Sequence, residues 1–281
     1  MARTRTQAGP ELPELPTSAR KLVGMLSRPG PYAVLRGDLG LIGIPGVVFA
    51  PTMGLGLPAV AFGHDWLQSP DRYLPLLRHL ASWGIVAAAP GSQRGAVPSH
   101  ARFGADLRTA LDVCVGVRLG DGAISVDRRR LALAGHGMGG GCAVLAAADR
   151  TGPDEVAAVV TLAAAETRPS AIEAARAVTT PGLHLAAGKD QVSPPVAGAE
   201  PLAAAWAGPV VLRTLPKANH LGFLSGRALV DALLAGSPQS STAKLTRALV
   251  TGFLLHHLLG ERRVAELVSG EVKGTELVLH R

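Results

Sequence analysis

Leu131-Ala-Leu-Ala-Gly-His-Gly-Met-Gly-Gly-Gly141 is the stretch that decides the fold. Four apolar residues, Leu131 to Ala134, run without a charge into a glycine-rich turn. A helix-compatible segment follows from Met138. A short apolar run bounded by glycine reads as a buried strand. Strand, sharp turn and helix together are the setting of the G-x-S-x-G motif, which presents a nucleophile on a strained turn. Gly135, His136, Met138 and Gly139 fit that frame. The middle position, where the hydroxyl belongs, is Gly137.

Outward from this segment, short apolar runs alternate with amphipathic or Ala-rich ones. Residues 32–35, 41–50 and 59–62 read as the first strands, with no helix between them. Residues 71–82 read as a helix, because Leu74, Leu77 and Leu80 recur three apart on one face. The remaining strands are expected at 85–89, 131–134, 156–163, 182–187 and 210–215. Helices are expected at 101–116, 138–148, 170–177, 195–207 and 240–259. Strands alternating with helices predict an α/β fold with a mostly parallel central sheet and helices on both faces. The opening strands predict an antiparallel edge. The expected division is a Pro-rich arm over 1–28, one domain without a large cap over 29–260, and a charged tail over 261–281.

Composition agrees with a large core. The chain has 281 residues, 47% hydrophobic and 17% charged, but only 4% aromatic. Ala, Val and Leu must therefore do most of the packing. The net charge is +7, spread over scattered arginines and the run Arg128-Arg129-Arg130. No nucleic-acid motif accompanies it, so no nucleic-acid partner is expected. Cys114 and Cys142 fall in apolar helical stretches and read as buried thiols. The first residues hold no apolar leader, which points to a cytoplasmic protein. Residues 39–63 are long and uncharged, but Pro45, Pro51 and Pro58 break them into strands, so no transmembrane segment is expected.

In a parallel sheet, function gathers beyond the carboxyl ends of the strands. The residues standing there are His64, Asp65 and Trp66; His136, Gly137 and Met138; Glu166; Asp190; and His220. A turn position, then an acid, then a histidine is the chain order of the α/β-hydrolase triad. A buried carboxylate such as Asp190 would fix the His220 tautomer, and the imidazole would take a proton from the attacking group.

On Gly63-His64, Gly135-His-Gly-Met-Gly-Gly-Gly141, Ala187-Gly-Lys-Asp190 and Asn219-His220, the chain resembles bacterial cutinases and polyester hydrolases. More distantly it resembles dienelactone hydrolases. The resemblance implies an α/β-hydrolase fold, a carboxylester activity, and an oxyanion hole made by the N–H groups of His64 and Met138. A small ester-like or lipid-like molecule is the expected partner. His64, His136 and His220 with Asp65, Glu166 and Asp190 could converge on one rim, but no H-E-x-x-H or paired short spacing supports a metal site, so no metal and no cofactor are expected. The chain departs from the family at Gly137 and at Ala165, where a tryptophan is common, and the secretion signal and C-terminal disulfide common in that family are not expected here.

Glycine at the elbow relieves about 1–3 kcal/mol of backbone strain while removing the nucleophile. Two functions follow from this. In one, the pocket binds an ester-like ligand with serine-dependent hydrolysis lost or greatly reduced. In the other, hydrolysis continues through a water activated by His220, or through a carboxylate such as Asp65. Cys142 should lie too deep along its helix to substitute, and Ser92 and Ser99 read as turn residues. His256 and His257 read as a positive helix end. Restoring a serine at 137 is expected to revive any machinery that remains.

Overall fold

The computed structural model describes residues 12–149, 155–227, 231 and 236–281. Nine strands form one sheet in the order β1-β2-β4-β3-β5-β6-β7-β8-β9. They are β1 (Val34–Asp38), β2 (Gly46–Pro51), β3 (Gly54–Gly63), β4 (Val86–Pro90), β5 (Ile124–His136), β6 (Ala158–Leu162), β7 (Gly182–Ala187), β8 (Val210–Leu215) and β9 (Glu276–His280). The strands from β4 through β3, β5, β6 and β7 to β8 are parallel. β1, β2 and β9 make antiparallel edges. The expected α/β architecture is therefore present, antiparallel opening edge included.

The helices are α1 (Ala19–Leu26), α2 (Leu74–Ser82), α3 (His100–Gly116), α4 (Met138–Ala148), α5 (Ala171–Ala175), α6 (Ala199–Ala205), α7 (Ser240–Leu259) and α8 (Ala265–Ser269). Strand residues alternate between two apolar layers. Ala132, Ala134, Val160 and Leu162 face Leu77, Leu80, Leu249 and Phe253 of α2 and α7. Leu131, Leu133 and Val159 face Phe103, Leu107, Cys142 and Leu202 of α3, α4 and α6. With alanine on the central strands, the bulk comes from helix leucines and the few aromatics.

Several boundaries differ from expectation, each for a local reason. The second strand begins at Gly46 because Leu39–Ile42 form a 3-10 turn closed by Gly43 at φ 84°. Pro70–Tyr73 are a 3-10 turn ahead of α2. Gly198, at φ −131° and ψ −88°, separates the turn at Pro195–Ala197 from α6. β5 extends back to Ile124 through Asp127 and the three arginines, because its first half pairs with Gly54 and Leu57 of β3.

The breaks expected at 28 and 260 are not breaks in packing. Leu22 and Leu26 of α1 are buried against α7. Residues 261–281 add α8 and the edge strand β9 to the same sheet. Arg213 of β8 holds this tail by donating to the carbonyls of Val268 and Gly270 and to Thr275 Oγ1. Among the described residues, no helix is long and apolar enough to cross a membrane.

Candidate active site

The strand-to-helix turn after β5 has the geometry its sequence implied. Gly137 sits at φ 51°, ψ −119°, in the region that favours glycine. Its N–H donates to Leu162 O, and its carbonyl accepts from Gly140 and Ala165. Gly135 and Gly139 allow α4 to approach this closely. A Cβ on Gly135 would collide with the Gly139 carbonyl, and one on Gly139 with the Gly63 carbonyl.

β7 and β8 lie side by side, so their loops bring Asp190 and His220 together. His220 Nδ1 donates to Asp190 Oδ2 over 2.7 Å. The Asp190 carboxylate is oriented in turn by the N–H groups of Val192 and Ser193. The other imidazole nitrogen meets a group from across the sheet. His220 Nε2 donates to Asp65 Oδ2 over 2.9 Å, and Asp65 Oδ1 accepts from the Met138 N–H over 2.8 Å. Asp65 reaches this place because β3 is the neighbour of β5.

The position of Asp65 explains why residue 137 carries no side chain. A Cβ built on Gly137 would overlap Asp65 Oδ1 and Cγ. The carboxylate thus fills the space an elbow side chain would enter. It also takes the helix N–H that the resemblance assigns to a substrate oxyanion. The expectation of an open oxyanion hole at Met138 is corrected accordingly. A serine added at 137 would likewise find its space occupied, so that single change cannot be a simple restoration.

The electrostatics follow from two carboxylates flanking one imidazole. Asp65 is 4% exposed and His220 is 1% exposed. Burial pushes the Asp65 carboxyl upward, but the hydrogen bond from His220, the adjacent imidazoles and the Met138 N–H outweigh it. Its pKa is held below the usual 3.8. Burial pulls His220 down, and the hydrogen bonds to Asp190 and Asp65 overcome it, raising its pKa to about 9. At neutral pH His220 is therefore an imidazolium donating both protons.

A second chain of contacts supports Asp65 from behind. Its backbone N–H donates to Tyr73 Oη over 3.1 Å, and Tyr73 Oη lies 2.8 Å from His136 Nδ1. Having accepted from Asp65, the phenol donates to His136. Burial, with the His220 charge added, lowers His136 to about 4, so its ring is neutral and carries its proton on Nε2. That atom faces the His220 backbone without forming a hydrogen bond of normal geometry. Tyr73 escaped the sequence reading because it lies at the start of a helix rather than at a strand end. Its spacing from Asp65, eight residues onward, is the one available signal.

The other expected site residues have different places. Both His64 ring nitrogens face carbonyls, of Asp65 and Ser92, each at 2.8 Å, so the ring props the loop. Burial lowers its pKa despite those carbonyls, and a neutral ring can donate to only one of them. Trp66 is partly exposed and donates to Ala96 O. Glu166 is exposed and accepts from Ile172 N at the start of α5, outside the site. Cys142 is buried, which pushes its thiol up to about 12. Ser99 caps α3 and Ser92 binds Asp106. His257 is pushed down to about 4 by burial and by His256, so it is neutral at pH 7 and not the cation expected at that helix end.

Ligand-capable atoms of Asp65, His136 and His220 lie within 4.8 Å of one another. The two imidazoles stack, however, with centroids 4.6 Å apart and planes at 35°. An imidazole binds a cation through the lone pair in its ring plane. His220 also has both nitrogens engaged by carboxylates. The cluster is better suited to moving protons than to holding a cation.

These pKa shifts predict a stability maximum near pH 6.5. His220 is raised above its unfolded value of 6.5, so its contribution is complete below that pH and is lost as pH rises through about 9. His136 and His184 are lowered by burial to about 4 and about 3. The unfolded chain takes up protons there first, so stability also falls as pH drops below 6.5. Urea midpoints measured between about pH 4.5 and about pH 9.5 should show a decline on both sides.

A sheet in this order, with a turn at its central strand and an Asp–His pair beyond the next strands, defines an α/β-hydrolase fold. A family model described as PETase: PET hydrolase-like matches residues 48–207, and the chain belongs to that family of α/β-type ester hydrolases. The match takes in Asp65, Gly137 and Asp190 and ends before His220. No curated protein matches the chain.

Proposed function

We propose that this chain is a hydrolase in which the Asp65 carboxylate, arriving from the loop after β3, does the work of an elbow nucleophile at position 137. The observation that carries this reading is the seat of Asp65. It is held between His220 Nε2 at 2.9 Å and the Met138 N–H at 2.8 Å. Nucleophile, base and orienting acid are then Asp65, His220 and Asp190, a carboxylate version of the triad logic.

The chemistry has two stages. An Asp65 oxygen attacks the electrophilic carbon of the substrate, the leaving group departs, and the substrate is left esterified to Asp65. Asp65 is now uncharged, so one of the two carboxylates holding the His220 proton is gone. His220 releases that proton and becomes a base. It then takes a proton from water attacking the Asp65 carbonyl carbon. The Met138 N–H donates to the oxyanion that forms on Oδ1. Collapse of this intermediate frees the product and regenerates the carboxylate. Oxygen from water thus enters Asp65 before it enters product.

Single turnover in ¹⁸O-water, with excess enzyme over substrate, tests this. The expected result is label in the peptide containing Asp65 and unlabelled first-turnover product. Label in product alone would mean direct attack of water and would overturn the reading. A second reading draws on the same contacts. Asp65 saturates both His220 Nε2 and Met138 N–H, as a plug would in a protein that binds an ester-like ligand without turnover. Neither turnover nor label, with ligand binding retained, would favour it.

A further inference from the structure

We infer that the carbon attacked by Asp65 is saturated, so that the substrate is an alkyl electrophile such as a haloalkane or an epoxide rather than an acyl ester. This rests on the reading of Asp65 as the nucleophile and names its substrate class.

The direction in which intermediates collapse favours a saturated carbon. A carboxylate attacking an ester carbonyl gives a tetrahedral intermediate with two possible leaving groups. One is the Asp65 carboxylate, whose conjugate acid is strong. The other is an alkoxide, whose conjugate acid is far weaker. The intermediate returns to starting materials. Attack on a saturated carbon has no such return, because the displaced group leaves in the same step and a stable ester of Asp65 remains.

The placement of the oxyanion donor points the same way. A donor serves catalysis when it lies about 2.7–3.1 Å from the oxygen on which charge develops. The Met138 N–H lies 2.8 Å from Asp65 Oδ1. It is thus aimed at the carbonyl oxygen of an Asp65 ester, and a substrate carbonyl would have to displace Asp65 to reach it. His220 Nε2 contacts the same carboxylate from its other oxygen. The whole machine is directed at hydrolysing an ester made on Asp65, which is the second half of an alkyl-transfer cycle.

Apolar side chains stand exposed on the loops that carry the acids and on the neighbouring loop between β4 and α3. Trp66, next to Asp65, is 41% exposed, and Val192, two residues past Asp190, is also 41% exposed. Val97, beside the Ala96 carbonyl that Trp66 binds, and Val196 are more exposed still. Apolar side chains on these loops suit an alkyl substrate.

The balance is complete with water alone. For a haloalkane, the carbon–halogen bond breaks as the Asp65 O–C bond forms, and halide leaves. Water then yields alcohol, the Asp65 carboxylate and one proton. For an epoxide, the ring C–O bond breaks, and the alkoxide takes the proton that His220 sheds. The second stage yields the diol.

The test uses the purified full chain with a 1-bromoalkane, a terminal epoxide and a p-nitrophenyl ester. Wild type is expected to release bromide or open the epoxide with repeated turnover. With the 1-bromoalkane, whose halide leaves without a proton, His220→Gln is expected to stop after one equivalent, with one alkyl group on the peptide containing Asp65 by mass spectrometry. Alkylation by either electrophile supports a saturated carbon, and the two arms distinguish halide from epoxide. Ester hydrolysis with ¹⁸O entering Asp65, and no reaction with either alkyl electrophile, would overturn the substrate class while leaving Asp65 as nucleophile. No reaction of wild type and no Asp65 labelling with all three would overturn both.

Discussion

Asp65→Asn is expected to lower turnover by about 10⁴–10⁶-fold, the range seen when a member of a catalytic triad is removed from another hydrolase. The substitution is close to isosteric, so the loss cannot be assigned to an emptied space. An amide is a poor nucleophile, and its NH₂ must face either the Met138 N–H or the His220 N–H, both of which are donors. Removing the charge also leaves His220 with Asp190 as its only anionic partner. Its pKa must then fall from about 9, and the high-pH loss of stability must move to lower pH in step. Steady-state rates together with urea midpoints at several pH values check both effects. If Asp65 were a plug, the opposite would hold for Asp65→Ala, which would open the cradle and strengthen ligand binding. Undiminished turnover in Asp65→Asn would remove it from the chemistry.

Much of this arrangement was legible in the sequence, and what was missed has a common cause. The central strands could be read because each is a short apolar run, stopped by glycine or proline in every case but β6. Asp190 and His220 could be placed because each follows such a strand within a few residues. Hydrophobic pattern carried no information about the start of β5, where Asp127 and three arginines lie on a partly exposed stretch of the strand. It said equally little about β9, an edge strand exposed along most of its length, whose preceding segment is held by Arg213. The decisive contact depends on neither pattern nor spacing. Asp65 and Gly137 are 72 positions apart and meet because β3 pairs with β5. The missing side chain at 137 and the carboxylate at 65 are complementary, and only the sheet order shows that they share one volume. Glu166 shows the converse. It follows a strand just as closely, yet it turns outward to cap α5.

Gly137→Ser alone is expected to produce no serine hydrolase, whereas Gly137→Ser combined with Asp65→Gly should produce one. In the single variant the new Cβ overlaps the Asp65 carboxylate, and a non-glycine residue is forced to φ 51°. Asp65 is short, buried and held from both sides by Met138 and His220, so it has little freedom to withdraw. Overpacking and backbone strain should each cost about 1–3 kcal/mol, visible as a lower urea midpoint. In the double variant the volume is vacated, the Met138 N–H is freed for a substrate oxyanion, and His220 Nε2 faces the new hydroxyl. His220 loses one of its two carboxylates, and its pKa falls toward the range in which a general base operates at neutral pH. The expected gain on an activated short-chain ester is about 10³-fold over the single variant, with a serine-directed phosphonate attached at position 137. Equal labelling and equal rates in the two variants would show that Asp65 withdraws freely. The competition for one volume, on which both the glycine and the carboxylate have been explained, would then be wrong.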